Sequence, residues 1–413
     1  MSRCEPTYDM AVIGAGPAGA SAAAFMARAG LRVCVLEQKR FPRQKVCGEF
    51  IGPAGWNVLA DLDIAAPLKR VAGPPLQYVA VYPESGPELC ASLPADSAGR
   101  HARAISRDVL DHMLLQRAAQ CGAAVFQPAH VSHVQGDART GFLVFVAGWP
   151  APLRAGAVVL AHGSPRLGAM NAPARANRHV AGGPAVPGGG LNDCLCFKAH
   201  LENVQLAANT TVIGGAEGLY AGLLRTGDNP VAAHAPNPAG GPQACYNLAF
   251  VVRRNVWERY GSANELCRYL QRRNAGFNRC LSQARRTEDF LACGPMEPGV
   301  RQVYADGRFF VGNAAGEVHA LIGEGITLAL CAGQLLGSVM SDYRNAPPAA
   351  ENLAILGDIY RRRWLGQFGS RLHAGNVFSR VLMQPLLSAM ATSYLQAFPD
   401  VLDRCIGWSG KSA

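Results

Sequence analysis

Residues 8–37 read YDMAVIGAGPAGASAAAFMARAGLRVCVLE, and no other stretch of the chain restricts the fold as much. The short apolar run Tyr8–Ile13 ends at glycine, the pattern of a strand buried on both faces of a parallel sheet. Gly14, Gly16 and Gly19 follow in G-x-G-x-x-G spacing, then an alanine-rich helical segment to about Gly30, a C-cap glycine. A second apolar strand over 32–36 ends at Glu37. Gly14 permits a tight turn, Gly16 lets backbone approach a pyrophosphate, and Gly19 lets the helix pack close to the strand. The helix N-terminus turns its positive end toward phosphates. Glu37 stands where a carboxylate accepts hydrogen bonds from ribose hydroxyls. Strand, turn, helix, strand and acid in this order predict an α/β chain with a Rossmann-like dinucleotide-binding unit. The unit by itself leaves open which dinucleotide is bound.

A second glycine-rich stretch, residues 311–326, reads VGNAAGEVHALIGEGI and carries Asn313, Glu317, His319 and Glu324 among small residues. Such a backbone is expected to press against a ligand, with a helix beginning near Ile326. Composition narrows the partners. Apolar residues make up 49% and charged residues 16%, which describes a globular chain. Lys plus Arg exceed Asp plus Glu by 39 − 29 = 10, but the excess is spread out, with no basic block interleaved with aromatics. Nucleic acid is therefore not an expected partner. The 13 cysteines are scattered, with no CxxC and no zinc-like His/Cys spacing, so no metal is expected and the thiols read as those of a reduced, cytoplasmic protein. No apolar leader opens the sequence, and no 18 uncharged apolar residues run together, so no transmembrane segment is expected.

Three further segments bear on the cofactor. RFPRQKVCGEF, with Arg43, Lys45, Cys47 and Gly48, resembles the segment that lies along the flavin in the geranylgeranyl-reductase-like branch of FAD-dependent oxidoreductases. AISRDVLDHML resembles that branch's Ser-Arg-x-x-Leu-Asp element, whose arginine, here Arg107, lies near the FAD phosphates. Residues 311–326 resemble its G-D-A-A-G-x-x-x-P-x-x-G-E-G-I element. The branch shares its fold with aromatic-ring flavin monooxygenases and flavin-dependent halogenases. The resemblance implies FAD as cofactor, with NADPH or NADH as electron donor. It implies that Asn313 meets a ribityl or ribose hydroxyl and that the backbone of Gly323, Gly325 and Ile326 lies against the isoalloxazine ring. A helix dipole starting there would face the flavin's anionic N1–C2=O edge.

The chain departs from the family pattern at three places. Asn313 replaces the usual Asp, retaining an acceptor oxygen without charge. His319 and Ala320 stand where Asp-Pro is common, which puts an imidazole near the flavin. In VVLAHGSPRLG, His162 replaces an Asp that helps organise FAD phosphate and NADPH in the monooxygenases, so nicotinamide use is less secure than FAD.

The expected architecture is a discontinuous FAD-binding domain (residues 1–70, 100–165 and 296–345), an inserted antiparallel-sheet substrate domain (71–99 and 166–295) and a helical C-terminal region (346–413). Gly/Pro/Ala-rich stretches at 165–190 and 226–242 read as loops. CLCFKAHL, VQLAANTTVIGG and ACYNLAFVV read as strands. Residues 258–283 read as a helix, with Leu266, Tyr269 and Leu270 on one face. Val377, Phe378, Val381, Leu382, Leu386 and Leu387 form an apolar ridge, expected to face the core; the competing reading is a lid or a peripheral membrane contact.

For the chemistry, monooxygenation of a hydrophobic or aromatic small molecule of secondary metabolism is preferred by a small margin over reduction of a carbon–carbon double bond. Halogenases of this fold resemble one another in W-x-W-x-I-P, and the five tryptophans here never stand two apart, which disfavours halogenation. The aromatic Y-x-W-x-F-P segment of prenyl reductases is missing too, with LYAGLLRT in its place. Cys47 and His319 are the catalytic candidates, with Glu49, His162 and Lys198 weaker. A non-catalytic FAD protein, a carrier protein holding the substrate and a partner flavin reductase stay open.

Overall fold

Alternating apolar runs and glycine turns pair into two eight-stranded sheets. The computed structural model describes residues 7–164, 194–228, 244–319, 323–345, 350–398 and 401. The chain opens with β1 (Tyr8–Ile13), α1 (Pro17–Arg28), β2 (Val33–Leu36), β3 (Phe50–Ile51), α2 (Pro53–Asp61) and α3 (Ala65–Val71). It continues through β4 (Tyr78–Tyr82), β5 (Leu89–Ser92), β6 (Arg103–Ala104), α4 (Arg107–Gln120), β7 (Ala124–Phe126), β8 (Val131–Asp137), β9 (Gly141–Val146) and β10 (Leu153–Leu160). Then follow β11 (Cys194–Glu202), β12 (Thr210–Ala216), β13 (Leu219–Asp228), β14 (Ala244–Arg253), α5 (Arg254–Tyr260), α6 (Ala263–Arg273) and α7 (Ala275–Leu281). The last part holds β15 (Arg285–Arg286), β16 (Leu291–Cys293), β17 (Gly299–Val300), β18 (Tyr304–Ala305), β19 (Arg308–Phe310), β20 (Gly316–Glu317), α8 (Gly325–Met340), α9 (Ala350–Leu382) and α10 (Pro385–Ala397).

The first sheet runs β18-β19-β10-β1-β2-β7, with β9 on β10 and β8 on β9. Its central pairs are parallel, and β1 lies between β10 and β2. The chain leaves β1 toward β2 on one side while β10 and β19 fill the other, which opens a crevice at the strands' carboxyl ends. The second sheet runs β15-β11-β14-β13-β12-β4-β5 and is antiparallel except where β4 meets β12.

α1 and α8 cover the first sheet together. A Cβ on Gly333 of α8 would fall onto Ser21 Oγ, and one on Gly337 onto Phe25 Cβ, so small residues set the closeness of the two helices. Leu330 and Leu336 of α8 are fully buried, each stabilising by roughly 1.5–3 kcal/mol. No helix among the described residues is long and apolar enough to cross a membrane.

Several expectations need correction. The helix expected over 258–283 is three helices, α5, α6 and α7. Gly261 takes φ +69 and ends α5, Ser262 caps α6 through Glu265 N, and Asn274 caps α7 through Phe277 N. Leu266, Tyr269 and Leu270 nonetheless share the buried face of α6. Residues 226–228 continue β13 instead of opening a loop, and residues 204–209 precede β12 without joining it. The rest of the second expected loop, the first one beyond Ser164, and Ala320 lie outside the described residues, as do the side chains of Val377, Phe378 and Leu382. The core-facing ridge is overturned at its C-terminal end, because Leu386 is 79% exposed and Leu387 42% exposed.

Candidate functional site

The crevice forms where three turns meet at the sheet's carboxyl edge. Gly14 has φ +100, and a Cβ there would come 2.5 Å from Ala161 O beyond β10. A Cβ on Gly19 would strike Gly14 O, so this glycine serves helix–strand closeness. Gly16 differs, because a Cβ would meet only Arg107 Nη2, at 4.0 Å. Gly16 N-caps α1 and Pro17 begins it, so the helix N-terminus opens onto that space. Glu37, at the end of β2, is buried; its carboxylate accepts from Ala15 N at 2.8 Å and Lys39 N at 2.9 Å, bracing the glycine turn.

Three cations lean over this turn. Arg107 opens α4 and makes a bidentate pair with buried Asp111 at 2.9 and 2.8 Å. Arg43 Nη1 is 3.4 Å from the same carboxylate, yet it is a buried atom without a hydrogen bond. Lys45 keeps an accessible surface inside the crevice and would lie 3.2 Å from a Cβ on Gly163. The protein atoms crowded round its ammonium lower its pKa despite that exposure, and Arg107 and Arg43 lower it further. Burial likewise lowers that of Arg43; for Arg107 the lowering by burial is outweighed by Asp111 and Cys47. Arg107 thus depresses both of its neighbouring cations, and such a crowd of positive charge beside an open helix N-terminus suits an anion.

The other glycine stretch splits in two. A Cβ on Gly312 would sit 2.9 Å from Ala18 Cβ, and one on Gly316 would sit 2.8 Å from Trp364 and Leu372, so protein packing explains both. Gly323 and Gly325 have nothing nearer than 3.6 and 3.8 Å. A Cβ on either would make only ordinary contact, and they stand at the start of α8, whose first turn includes buried Ile326. Gly323 borders Phe50, and Gly52 N donates to Thr327 Oγ1 at 2.9 Å, so the 43–52 segment and the 311–326 stretch meet. A pyrophosphate-bearing, flat-ringed cofactor fits this set: an unbonded guanidinium nitrogen, open glycine turns and two helix N-termini.

Asn313 follows β19. Its Nδ2 donates to Glu317 Oε1 and Ser164 Oγ, both at 3.0 Å, and Arg301 donates to Glu317 Oε2 at 2.9 Å. His162 lies two residues before Ser164 and is exposed. His319 is wholly buried and meets Tyr220 Oη at 3.3 Å from Nδ1. Burial pushes its pKa down to about 4, so the ring is neutral at pH 7.

Cys47 is half-buried, accepts from Glu49 N at 3.4 Å, and its carbonyl accepts from Asn247 Nδ2 at 3.0 Å. The neighbouring Val46 packs on Cys196, Tyr220, Val251, Met296 and Met383, so the segment rests on the same wall that carries the partner of His319. Beneath it lies a charge cluster that reading residues singly did not assemble. Glu49, fully buried at φ +61, accepts from Lys198 Nζ at 2.5 Å and Arg107 N at 3.0 Å, and it pairs with His200 Nε2 at 2.8 Å. His200 Nδ1 reaches Glu288 at 3.0 Å. The available signal was the alternation Lys198, His200, Glu202 in an apolar strand, three titratable groups on one face of β11. Asp111, Tyr220, Arg301 and Ser164 were also missed.

A sequence profile of the FAD binding domain matches residues 7–145. The chain is 24% identical to conditioned medium factor receptor 1 of Dictyostelium discoideum, over 97% of this chain and 73% of that protein. It is 26% identical to digeranylgeranylglycerophospholipid reductase 2 of Methanopyrus kandleri, over 96% of this chain and 91% of that one. Among solved structures, the flavin-dependent brominase Bmp2 superposes with TM-score 0.74 at 18% identity, covering 98% of this chain and 93% of that one. PqsL of Pseudomonas aeruginosa, described as a probable FAD-dependent monooxygenase, superposes with TM-score 0.68 at 18% identity, covering 94% and 99%. The chain carries an FAD-binding domain and is an FAD-dependent oxidoreductase of the fold that these reductases, monooxygenases and halogenases share.

Proposed function

We propose that this oxidoreductase is a monooxygenase of a hydrophobic or aromatic small molecule, drawing electrons from NADPH or NADH. In this reading Gly14, Gly16, Gly19, Glu37, Arg43, Lys45 and Arg107 hold the adenosine diphosphate part of FAD. Asn313 Oδ1 accepts from a ribityl hydroxyl, and Gly323, Gly325 and Ile326 lie along the ring. When bound, the flavin supplies two-electron chemistry, passing electrons to oxygen or to carbon.

One observation carries the preference for oxygen transfer. Saturating a carbon–carbon double bond needs a proton donor at the substrate carbon. Among the described residues most charged groups near the crevice face an opposite charge, Lys198 to Glu49, Arg107 to Asp111 and Arg301 to Glu317, while Arg43 and Lys45 lean over the glycine turn. His319 is neutral and bonded to Tyr220. These residues suit orienting an apolar substrate and excluding water better than protonating a carbon.

Cys47 favours a second reading, reduction of a double bond, because its half-buried thiol is the group on the 43–49 segment that could supply a proton. The two readings separate in one experiment. Purified holoprotein is supplied with NADPH or NADH and a panel of lipophilic and aromatic candidates under heavy oxygen. One labelled oxygen atom in the product supports monooxygenation. Product formed without air and two hydrogens heavier than substrate overturns it, and loss of that product in Cys47→Ser would then assign the proton to the thiol.

A further inference from the structure

α10 is turned inside out. Its buried side chains are Ser388 and Thr392, whereas Leu386, Met390, Tyr394 and Phe398 stand 79%, 69%, 55% and 53% exposed. These four recur every four residues and so share one outward face. The inward face must be small and polar because it lies on a tight turn: a Cβ on Gly86, between β4 and β5, would meet Ala389 Cα and Thr392 Oγ1, each at 3.2 Å. The hydroxyls of Ser388 and Thr392 are tolerable there, since Thr392 donates to Ser388 O within the helix at 3.0 Å. The helix, PLLSAMATSYLQA, carries no charge of its own. Its first turn is pinned, with Met383 buried and its carbonyl accepting from Gly218 N at 3.2 Å. Beside that turn opens a cavity of about 300 Å³, lined by Arg253, Arg259 and one carboxylate, Glu217, together with Gln384, Pro385 and Leu386, so its charge is positive on balance. Leu386, the first residue of the stripe, and two arginines therefore border the same opening.

We propose that this face of α10 seats in an anionic lipid surface, its stripe among the acyl chains and Arg253 and Arg259 at the phosphate headgroups. An uncharged apolar stripe flanked by cations matches such a surface in both parts. A second copy of the chain matches less well, because each copy carries an excess of ten positive charges (39 − 29) and like charges repel.

The test is flotation of the purified flavoprotein with vesicles of phosphatidylcholine alone or mixed with phosphatidylglycerol. Wild type should float with the mixed vesicles and far less with the neutral ones. Met390→Glu changes an exposed side chain, so the thermal midpoint should hold while the bound fraction falls by about tenfold. Arg259→Gln should weaken binding to the mixed vesicles by about fivefold and flatten its salt dependence. A wild type that stays in solution with both vesicles overturns the proposal, as does Met390→Glu binding as wild type does. Equal flotation with both vesicles overturns the headgroup half. A concentration-dependent dimer in light scattering that Met390→Glu dissolves would assign the face to a second copy instead.

Discussion

The amide of Asn313 donates to Glu317 Oε1 at 3.0 Å, and this bond explains why residue 313 is not acidic. The negative charge of this region sits four residues later, on a carboxylate already held by Ser164 and Arg301. An aspartate at 313 would face it across a hydrogen-bond distance with only the one hydroxyl hydrogen of Ser164 to share. Asn313→Asp should therefore cost about 1–3 kcal/mol of stability at neutral pH and weaken FAD retention. Like charge raises the folded pKa of one carboxylate of such a pair. The penalty should then be absent in acid, where that carboxylate is protonated, and grow as pH rises. Chemical denaturation of both proteins across pH measures this; an equal deficit at every pH would refute the pairing.

The glycines of the first turn should separate by function. Gly19→Ala drives a methyl into Gly14 O, and we expect it to lower stability by about 1–3 kcal/mol or prevent folding. Gly16→Val enters open space, so the apoprotein should unfold near the wild-type temperature while losing the visible flavin spectrum. A yellow Gly16→Val protein would remove the pyrophosphate from that turn.

The Glu49 cluster sets a pH window. Burial raises the pKa of Glu49, but Lys198 and His200 overcome it and hold it below the ordinary 4.5. Its contribution is present above that pH and is lost as pH falls through the lower folded value. Burial lowers the pKa of His200, but Glu288 and Glu49 raise it to about 9 from 6.5. That contribution is full below pH 6.5 and lost as pH rises through about 9, on the order of 3 kcal/mol. Wild type should thus lose stability between neutral and pH 9, and His200→Gln should lose this dependence. Glu49→Gln, which strands the buried Lys198, should cost about 3–5 kcal/mol, partly recovered by adding Lys198→Met.

His319 titrates in the opposite sense. Its pKa lies at about 4, below the ordinary 6.5, so its stabilising contribution holds above 6.5 and is lost as pH falls toward 4. His319→Gln should move the midpoint of acid unfolding to lower pH. An imidazole resonance of His319 that titrates near 6.5 would show that the ring is wetter than its burial implies.

The amino-acid sequence by itself determined the glycine turns that border the crevice, since a glycine signature records backbone geometry within a few residues. Gly14 at φ +100, Gly19 against Gly14 O and α8 starting at Gly325 were all readable that way. Only the family resemblance singled out Gly323 and Gly325; the residues alone did not separate them from Gly312 and Gly316, which make room for Ala18 and Trp364. That difference depends on helices arriving from elsewhere in the chain. The tertiary structure likewise decided the charges. Lys198 and His200 read singly as weak or unremarked residues, and they became a buried cluster when β11 met Glu49, about 150 positions earlier. α10 shows the same limit from the other side. Its apolar residues predict a face that needs cover, but the turn at Gly86 meets the small side of the helix at Ala389 and Thr392, and the apolar face points outward. Local conformation is written in neighbouring residues, whereas burial is a property of what the chain brings back to them.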